Sequence, residues 1–126
     1  MSNIPNVLTV GSPAPSIDAK EVQTGELFNL YKTLKDHKGI LLNFFRGNFW
    51  HYWHEYFDQI TRSISEFAPY DIIFLAIAPD SKKNLKKMQK YPMKFISDLP
   101  NGNIARMYNS FSLPRVFYCP QIERVD

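Results

Sequence analysis

The sequence has a single cysteine, Cys119, among its 126 residues. One thiol cannot form an internal disulfide, build a metal site from several cysteines, or complete a redox cycle that needs two cysteines in one chain. No basic residue adjoins Cys119 in the sequence, although reactive thiols are usually activated by a nearby cation. We therefore interpret Cys119 as an inert, partly buried thiol, and a lone reactive thiol is the alternative.

Long apolar segments are also missing. The longest apolar run, residues 72–79, is too short to cross a bilayer, which takes about 20 residues. The N-terminal residues have neither the basic start nor the apolar core of a signal peptide. We therefore predict a cytoplasmic protein that has no membrane partner.

Strong charge of one sign is missing as well. The chain has 15 basic and 12 acidic residues, so its net charge is +3. A stripe of lysines on one predicted helix, residues 82–90, is typical of a solvated face, and a site for a phosphate backbone or an acidic partner is the alternative. Because no aromatic residues are interleaved for base stacking, we predict that nucleic acid is not the partner. The lysines of the stripe are Lys82, Lys83, Lys86, Lys87 and Lys90.

What the chain does contain is the alternation of buried strands and helices that is typical of an α/β domain. Hydrophobic residues make up 44% of the chain and aromatic residues 15%, which predicts a core built from large rings. The length suits one domain, residues 1–126, with residues 1–16 as an extended arm and a central mixed sheet flanked by helices. The predicted strands are 17–20 and 27–29 (a hairpin that turns at Gly25), 40–45, 71–78, 93–96 and 115–119, and the predicted helices are 30–36, 50–67, 82–90 and 103–108.

The longest predicted helix, residues 50–67, is strongly amphipathic. At 100° per residue its large apolar side chains share one arc, and its charged side chains lie opposite. The position of Trp50 and Trp53 on this arc indicates core residues, and the alternative is a plugged active site or an aromatic shelf for a flat ligand. The residues of the arc are Trp50, Trp53, Phe57, Ile60, Ile64 and Phe67.

Five segments occur in an order that is more specific than any one of them alone. They are residues 10–15 (VGSPAP), 24–30 (TGELFNL), 44–55 (FFRGNFWHYWHE), 96–98 (ISD) and 113–117 (LPRVF). The set resembles the peroxiredoxin-like alkyl hydroperoxide reductase/thiol-specific antioxidant (AhpC/TSA) family. The resemblance implies a thioredoxin-like fold. Because that family usually continues with a full last strand and a helix, it also implies a fold truncated at its C-terminal end, with an edge or face that another chain could cover.

Residues 44–55 also carry the main departure from the family. In the resembling pattern the first redox cysteine falls on Trp50, the proline after it on His51, and the second cysteine on Trp53. A redox cysteine acts as a thiolate, whereas tryptophan has no ionisable group and no nucleophile. We therefore predict a catalytically inactive binding or regulatory module that has no cofactor.

The alternative is an enzyme related to the family's antioxidant oxidoreductases that uses another group. That group would be Cys119, or a metal or haem at His51 and His54. The i, i+3 spacing of the two histidines could support a metal contact. No third ligand is evident beside them, so we interpret both as solvated surface residues.

The binding candidates surround the predicted loop before the long helix. A cation at Arg46, beside a helix N-terminus, could hold an anion, and packing of Arg46 over an aromatic ring is equally consistent with the sequence. Pro114 occupies the place of a family proline that is commonly cis, which makes a cis Leu113–Pro114 bond a hypothesis. The expected partner is an unidentified protein or a small anionic ligand, and a homodimer is a further option. The candidates are Arg46, Gly47, Asn48, Trp50, Pro114 and Arg115.

Overall fold

The computed structural model of the chain describes residues 11–46, 51–111 and 115–121. At positions 51, 52, 65, 67 and 68 it describes the backbone only. The predictions that concern the first ten residues, the loop 47–50, Pro114 and the segment after residue 121 lie outside these ranges.

The elements follow the predicted order. Most differ from the predicted bounds by one or two residues. They are β1 (Asp18–Lys20), β2 (Leu27–Asn29), α1 (Leu30–Asp36), β3 (Gly39–Phe44), α2 (His51–Phe67), a short 3-10 turn (Ala68–Tyr70), β4 (Ile72–Ala78), α3 (Lys82–Lys86), β5 (Lys94–Ser97), α4 (Asn103–Met107) and β6 (Arg115–Pro120).

The central sheet has four strands in the order β5-β4-β3-β6. The strands β3, β4 and β5 are parallel, and β6 runs antiparallel to β3, with Arg115 opposite Phe44 and Cys119 opposite Ile40. The predicted central mixed sheet is therefore confirmed. β1 and β2 form a separate hairpin, and its turn contains Gly25 at φ 74° as predicted, a conformation that favours glycine.

Alternate residues of the strands feed two cores, one on each side of the sheet. On one side Ile40, Leu42 and Phe44 of β3 pack with apolar residues of the hairpin, α1 and α4. On the other side Phe74 and Phe95 pack with α2 and with the segment around α3. Helices on both faces explain why β3 and β4 read as nearly continuous apolar runs.

The helix α3 is shorter than predicted. It begins at Lys82, as predicted, after the N-cap Ser81, whose hydroxyl accepts from the Asn84 N–H at 3.1 Å. It ends at Lys86 instead of residue 90, because the following amides bond three residues back, as Met88 does to the Leu85 carbonyl. These tighter turns bring Tyr91 into the core, where it is 3% exposed. No helix in the described ranges combines the length and the apolar character needed to span a membrane.

Hydrogen bonds from two tyrosines hold residues 14–15, which precede β1, against the core. The Tyr31 hydroxyl donates to the Ala14 carbonyl, and the Tyr108 hydroxyl donates to the Pro15 carbonyl. Tyr108 is buried between Phe44 and Phe117, with ring centroids 5.1 and 5.6 Å away. The arm segment thus contacts α1 and Tyr108, the residue that follows α4.

Replacing Tyr108 with phenylalanine is expected to lower the free energy of unfolding by about 1 kcal/mol, the usual contribution of one hydrogen bond. The ring packing is kept, so the loss reports the bond to Pro15 alone. Urea unfolding monitored by circular dichroism measures it. An unchanged urea midpoint would contradict the fastening role.

The same variant should alter stability at alkaline pH. Burial raises the pKa of Tyr108 above its ordinary value, so the unfolded chain releases this proton at a lower pH than the folded chain. Stability from this group is therefore present below about pH 10 and is lost as the pH rises further. We expect the wild-type protein to lose more stability above that pH than Tyr108→Phe does. Parallel pH profiles would contradict the assignment.

Candidate functional site

A small cleft lies where β3 and β4 end, beside α4. Its volume is about 20 Å³, room for about one water molecule. Ligand sites of parallel sheets are commonly found at the carboxyl ends of strands. The lining residues are Phe44, Phe45, Arg46, Ile77, Pro79, Ala105, Ser110 and Phe111.

Arginine residues are concentrated at this end of the sheet. Arg46 lines the cleft and is exposed. The register places Arg115, also exposed, opposite Phe44, two residues before Arg46. Arg106 of α4 lies over Phe111 of the lining, with its guanidinium carbon 3.8 Å from the ring centroid. Three cations therefore give this end of the sheet a positive local potential.

A buried carboxylate fixes α4, which forms one wall of the cleft. Asp98 is 5% exposed, and its two oxygens accept from the N–H groups of Ile104 and Ala105, each at 2.9 Å. Its carbonyl also accepts from the Gly102 N–H at 2.7 Å. The carboxylate thus satisfies two N–H groups at the start of the helix, where a negative charge is favoured.

Phe111 reaches the cleft because Gly102 leaves room for it. Gly102 has φ 66° and precedes α4 as its N-cap, and a Cβ atom built there would lie 2.4 Å from the Phe111 ring. The sequence does not predict that Phe111, Ser110 and Arg106 are neighbours of Arg46. The only signal was the pattern Pro-Asn-Gly at 100–102, which marks a turn but does not say what packs on it.

The first turn of α2 is filled by an aromatic cluster. Trp53 is 6% exposed, and its ring centroid lies 5.8 Å from Phe45, 6.1 Å from Phe57 and 5.6 Å from Tyr56. The prediction that Trp53 is a core residue is therefore confirmed. An aromatic shelf for a ligand is excluded at this position, because almost no surface of the side chain is accessible.

The structure brings together only some of the candidate residues. Arg46 and Arg115 lie at the same end of the sheet, as described above. The remaining candidates lie outside the described residues. These candidates are Gly47, Asn48, Trp50 and Pro114. The hypothesis of a cis Leu113–Pro114 bond also concerns residues outside the described ranges. For His51 only the backbone is described.

His54 differs from the predicted solvated surface histidine. It is half-buried, and its Nδ1 lies 2.9 Å from the hydroxyl oxygen of Tyr91. That hydroxyl also donates to the His54 carbonyl at 3.2 Å. The turns after α3 carry Tyr91 against α2, 37 residues away in sequence, which helical projection could not predict. Burial, and then the charge of Asp58, raise the pKa of Tyr91.

Cys119 lies far along β6 from the cleft. It is 7% exposed and pairs with Ile40, whereas Arg115 pairs with Phe44 at the cleft end. Four residues along a strand span about 13 Å. Burial raises the pKa of the Cys119 thiol, which opposes formation of a reactive thiolate. The interpretation of an inert thiol is supported, and the side chain is more deeply buried than predicted.

Metal binding by histidine has no support in the described part of the chain. Within it, no three histidine, cysteine, aspartate or glutamate side chains come close enough to hold an ion. His54 instead contacts Tyr91, as given above.

The sequence profile of the AhpC/TSA family matches residues 10–122. The chain belongs to the AhpC/TSA family. No curated protein matches the sequence. Solved structures give the fold of this AhpC/TSA chain independently.

An uncharacterized conserved protein from Geobacillus kaustophilus aligns over 92% of the chain at 20% identity, with a TM-score of 0.73. The thioredoxin domain of a thiol-disulfide oxidoreductase from Bacteroides vulgatus aligns over 88% at 16% identity, with a TM-score of 0.71, and the chain covers 81% of that domain. The reduced 2-Cys peroxiredoxin of Plasmodium vivax aligns over 93% at 18% identity, with a TM-score of 0.70, and 89% of that chain is covered. The fold is therefore thioredoxin-like, as predicted. The chain spans only 66% of the Geobacillus protein.

Native Cys119 of this AhpC/TSA chain is expected to react with iodoacetamide at least about tenfold more slowly than an exposed thiol at mildly alkaline pH. Burial limits access, and the raised pKa lowers the thiolate fraction. Mass spectrometry follows the rate, and the same protein unfolded in urea is the control. Equal rates in the two states would contradict the burial of the thiol.

Proposed function

We propose that this AhpC/TSA protein is a catalytically inactive binding or regulatory module. The observation that carries the proposal is the position of its one thiol. Cys119 is buried, its pKa is raised, and it lies about four residues along β6 from the cleft end of the sheet. A peroxidatic thiol must be ionised and accessible to its substrate.

The packing of α2 supports the same conclusion. In the family's pattern the second cysteine falls on Trp53, a side chain that is 6% exposed and has no group that can be oxidised and reduced in a thiol cycle. Its ring packs against Phe45 and Phe57 in the hydrophobic core between α2 and the sheet. The remaining function of this region is then binding at the arginine-bearing end of the sheet.

The ligand we propose for this end is a small anion or an acidic group of a protein. The cleft itself, at about 20 Å³, is too small for a drug-sized ligand, for which sites of about 300 Å³ or more are usual. An anion would therefore bind at the mouth of the cleft, against Arg46 and Arg115. A cytoplasmic location and a homodimeric assembly belong to the proposal as well. Size-exclusion chromatography with light scattering tests the dimer.

The test of inactivity is a hydroperoxide reduction assay with a thiol reductant. Wild-type protein and Cys119→Ser should both show only the background rate. Turnover that disappears in Cys119→Ser would overturn the proposal in favour of a single-thiol enzyme. Turnover that survives the substitution would favour chemistry at another group, such as a metal or haem at the histidines, and a metal scan with a visible spectrum would identify it.

The test of the anion site uses inorganic phosphate and isothermal titration. Replacing Arg46 with alanine should weaken phosphate binding by about tenfold, which corresponds to the loss of one charge-assisted hydrogen bond. Arg62→Ala removes an exposed arginine from α2 and is the matched control. The same weakening in both variants would show a net-charge effect and would remove Arg46 from the site.

A further inference from the structure

The segment between Asp80 and Asp98 contains six lysines and no acidic residue. The acidic residues of the chain number 12, so their absence from this stretch leaves a local excess of positive charge that the small net charge conceals. The segment comprises α3, the tight turns after it and β5. Its charge distribution plays no part in the proposed module at the cleft.

The lysines of α3 and the turns after it are exposed, whereas the apolar side chains of the same stretch are buried. Leu85 and Met88 are fully buried, and Tyr91 is 3% exposed. We define the lysine face as the five exposed lysines Lys82, Lys83, Lys86, Lys87 and Lys90. The backbone that carries the lysine face is anchored to the core, because Tyr91 contacts His54 of α2.

Within the described residues, the charges of the lysine face are not neutralised by ion pairs. In the described ranges, no ion pair joins any of the five lysines to a carboxylate. The carboxylate at the start of the segment, Asp80, accepts from the Ser81 N–H and from the Asn84 side chain, each at 2.8 Å. Lys90 lies over the ring of Tyr91, with its Nζ 5.1 Å from the centroid. Five like charges within nine residues repel one another, and a partner of opposite charge relieves that repulsion.

We propose that the lysine face binds an acidic polypeptide segment, rich in glutamate or aspartate, of a partner protein. Charge complementarity determines the class of partner. The lysine face extends over residues 82–90, which form α3 and the turns after it. A segment of this length can contact a short extended or helical stretch of carboxylates. The lysines act as flexible point charges, which suits a sequence of carboxylates without fixed geometry.

Other polyanions fit the face less well. Single-stranded nucleic acid is usually held by stacking on exposed aromatic rings, and the one aromatic ring among residues 82–91, Tyr91, is buried. A duplex binder typically makes about six to ten phosphate contacts over a larger footprint. A membrane-binding helix inserts apolar side chains, whereas Leu85 and Met88 face the core.

The experiment uses the full chain and measures fluorescence anisotropy at low salt and neutral pH. The probes are a labelled peptide of about ten glutamates, an oligonucleotide of equal charge, and vesicles of phosphatidylserine and phosphatidylcholine. The test variant is Lys83→Glu/Lys86→Glu/Lys87→Glu. The control Lys32→Glu/Lys35→Glu/Lys38→Glu makes the same change of charge at exposed positions on and next to α1.

The wild-type protein should bind the glutamate peptide most tightly. The test variant should bind it at least about tenfold more weakly, whereas the control should retain affinity within about threefold. Equal weakening in both variants, or no binding of the peptide by wild type, would overturn the proposal. Tighter binding of the oligonucleotide or the vesicles would overturn the class of partner. If the test variant does not fold, Lys83→Gln/Lys86→Gln/Lys87→Gln replaces it, and it should also bind the glutamate peptide more weakly than wild type.

Discussion

Replacing Phe57 with alanine is expected to lower the free energy of unfolding by about 4 kcal/mol. Phe57 is fully buried, and its ring lies 5.2 Å from Phe45, 5.5 Å from Tyr91 and 6.0 Å from Phe95. Alanine would remove these contacts and leave a cavity between α2 and the sheet. The loss is a large part of the stability of a domain of this size, which is about 5–15 kcal/mol.

Urea unfolding measures the change in Phe57→Ala. The control is Tyr70→Ala, which removes an aromatic ring that is 61% exposed and should cost less than about 1 kcal/mol. A second variant, Phe57→Leu, fills most of the volume and should be affected less than the alanine variant. Similar midpoints for Phe57→Ala and Tyr70→Ala would show that the aromatic cluster does not hold α2 in place.

Replacing Asp98 with alanine is expected to cost about 3 kcal/mol of stability. The carboxylate accepts from the Ile104 and Ala105 N–H groups, each at 2.9 Å, and is 5% exposed. Hydrogen bonds to a charged group contribute about 1.5–3 kcal/mol each, and a buried N–H without its acceptor is costly. Alanine would leave both N–H groups without this acceptor and would release the wall of the cleft.

The matched control for Asp98→Ala is Glu66→Ala, which removes one negative charge from an exposed position of α2 and should change stability by less than about 0.5 kcal/mol. Asp98→Asn keeps one acceptor oxygen and should fall between the two. Phosphate binding at Arg46 should weaken in Asp98→Ala under conditions in which the variant is folded. Equal midpoints for Asp98→Ala and Glu66→Ala would contradict the capping role.

The order of elements could be predicted because each depends on local patterns. β3 and β4 are continuous apolar runs, and α2 repeats its large apolar side chains at helical spacing. Ser81 fills the N-cap position of α3, a position at which serine is strongly preferred. Trp53 was placed in the core by projection alone, and its burial agrees.

Of the residues around the cleft, only those adjacent in sequence to a predicted strand could be predicted. Arg46 lies two residues after the end of β3, so its place at the end of the sheet follows from the fold. Arg106, Ser110 and Phe111 reach the cleft through the turn at Gly102 and the Asp98 bonds. The contact between His54 and Tyr91 joins residues 37 apart, and no pattern in the sequence encodes that pairing.

The position of β3 in the sheet has a consequence for synthesis of the protein. β3 lies between β4 and β6, and residues 39–44 of β3 pair with residues 115–120 of β6. On the ribosome, one edge of this apolar strand therefore stays without its native partner until residue 120 has left the exit tunnel. Unpaired apolar strand edges promote aggregation. We therefore expect the nascent chain to need protection from aggregation from the time β3 emerges until β6 becomes available, and slowing elongation should not shorten that interval.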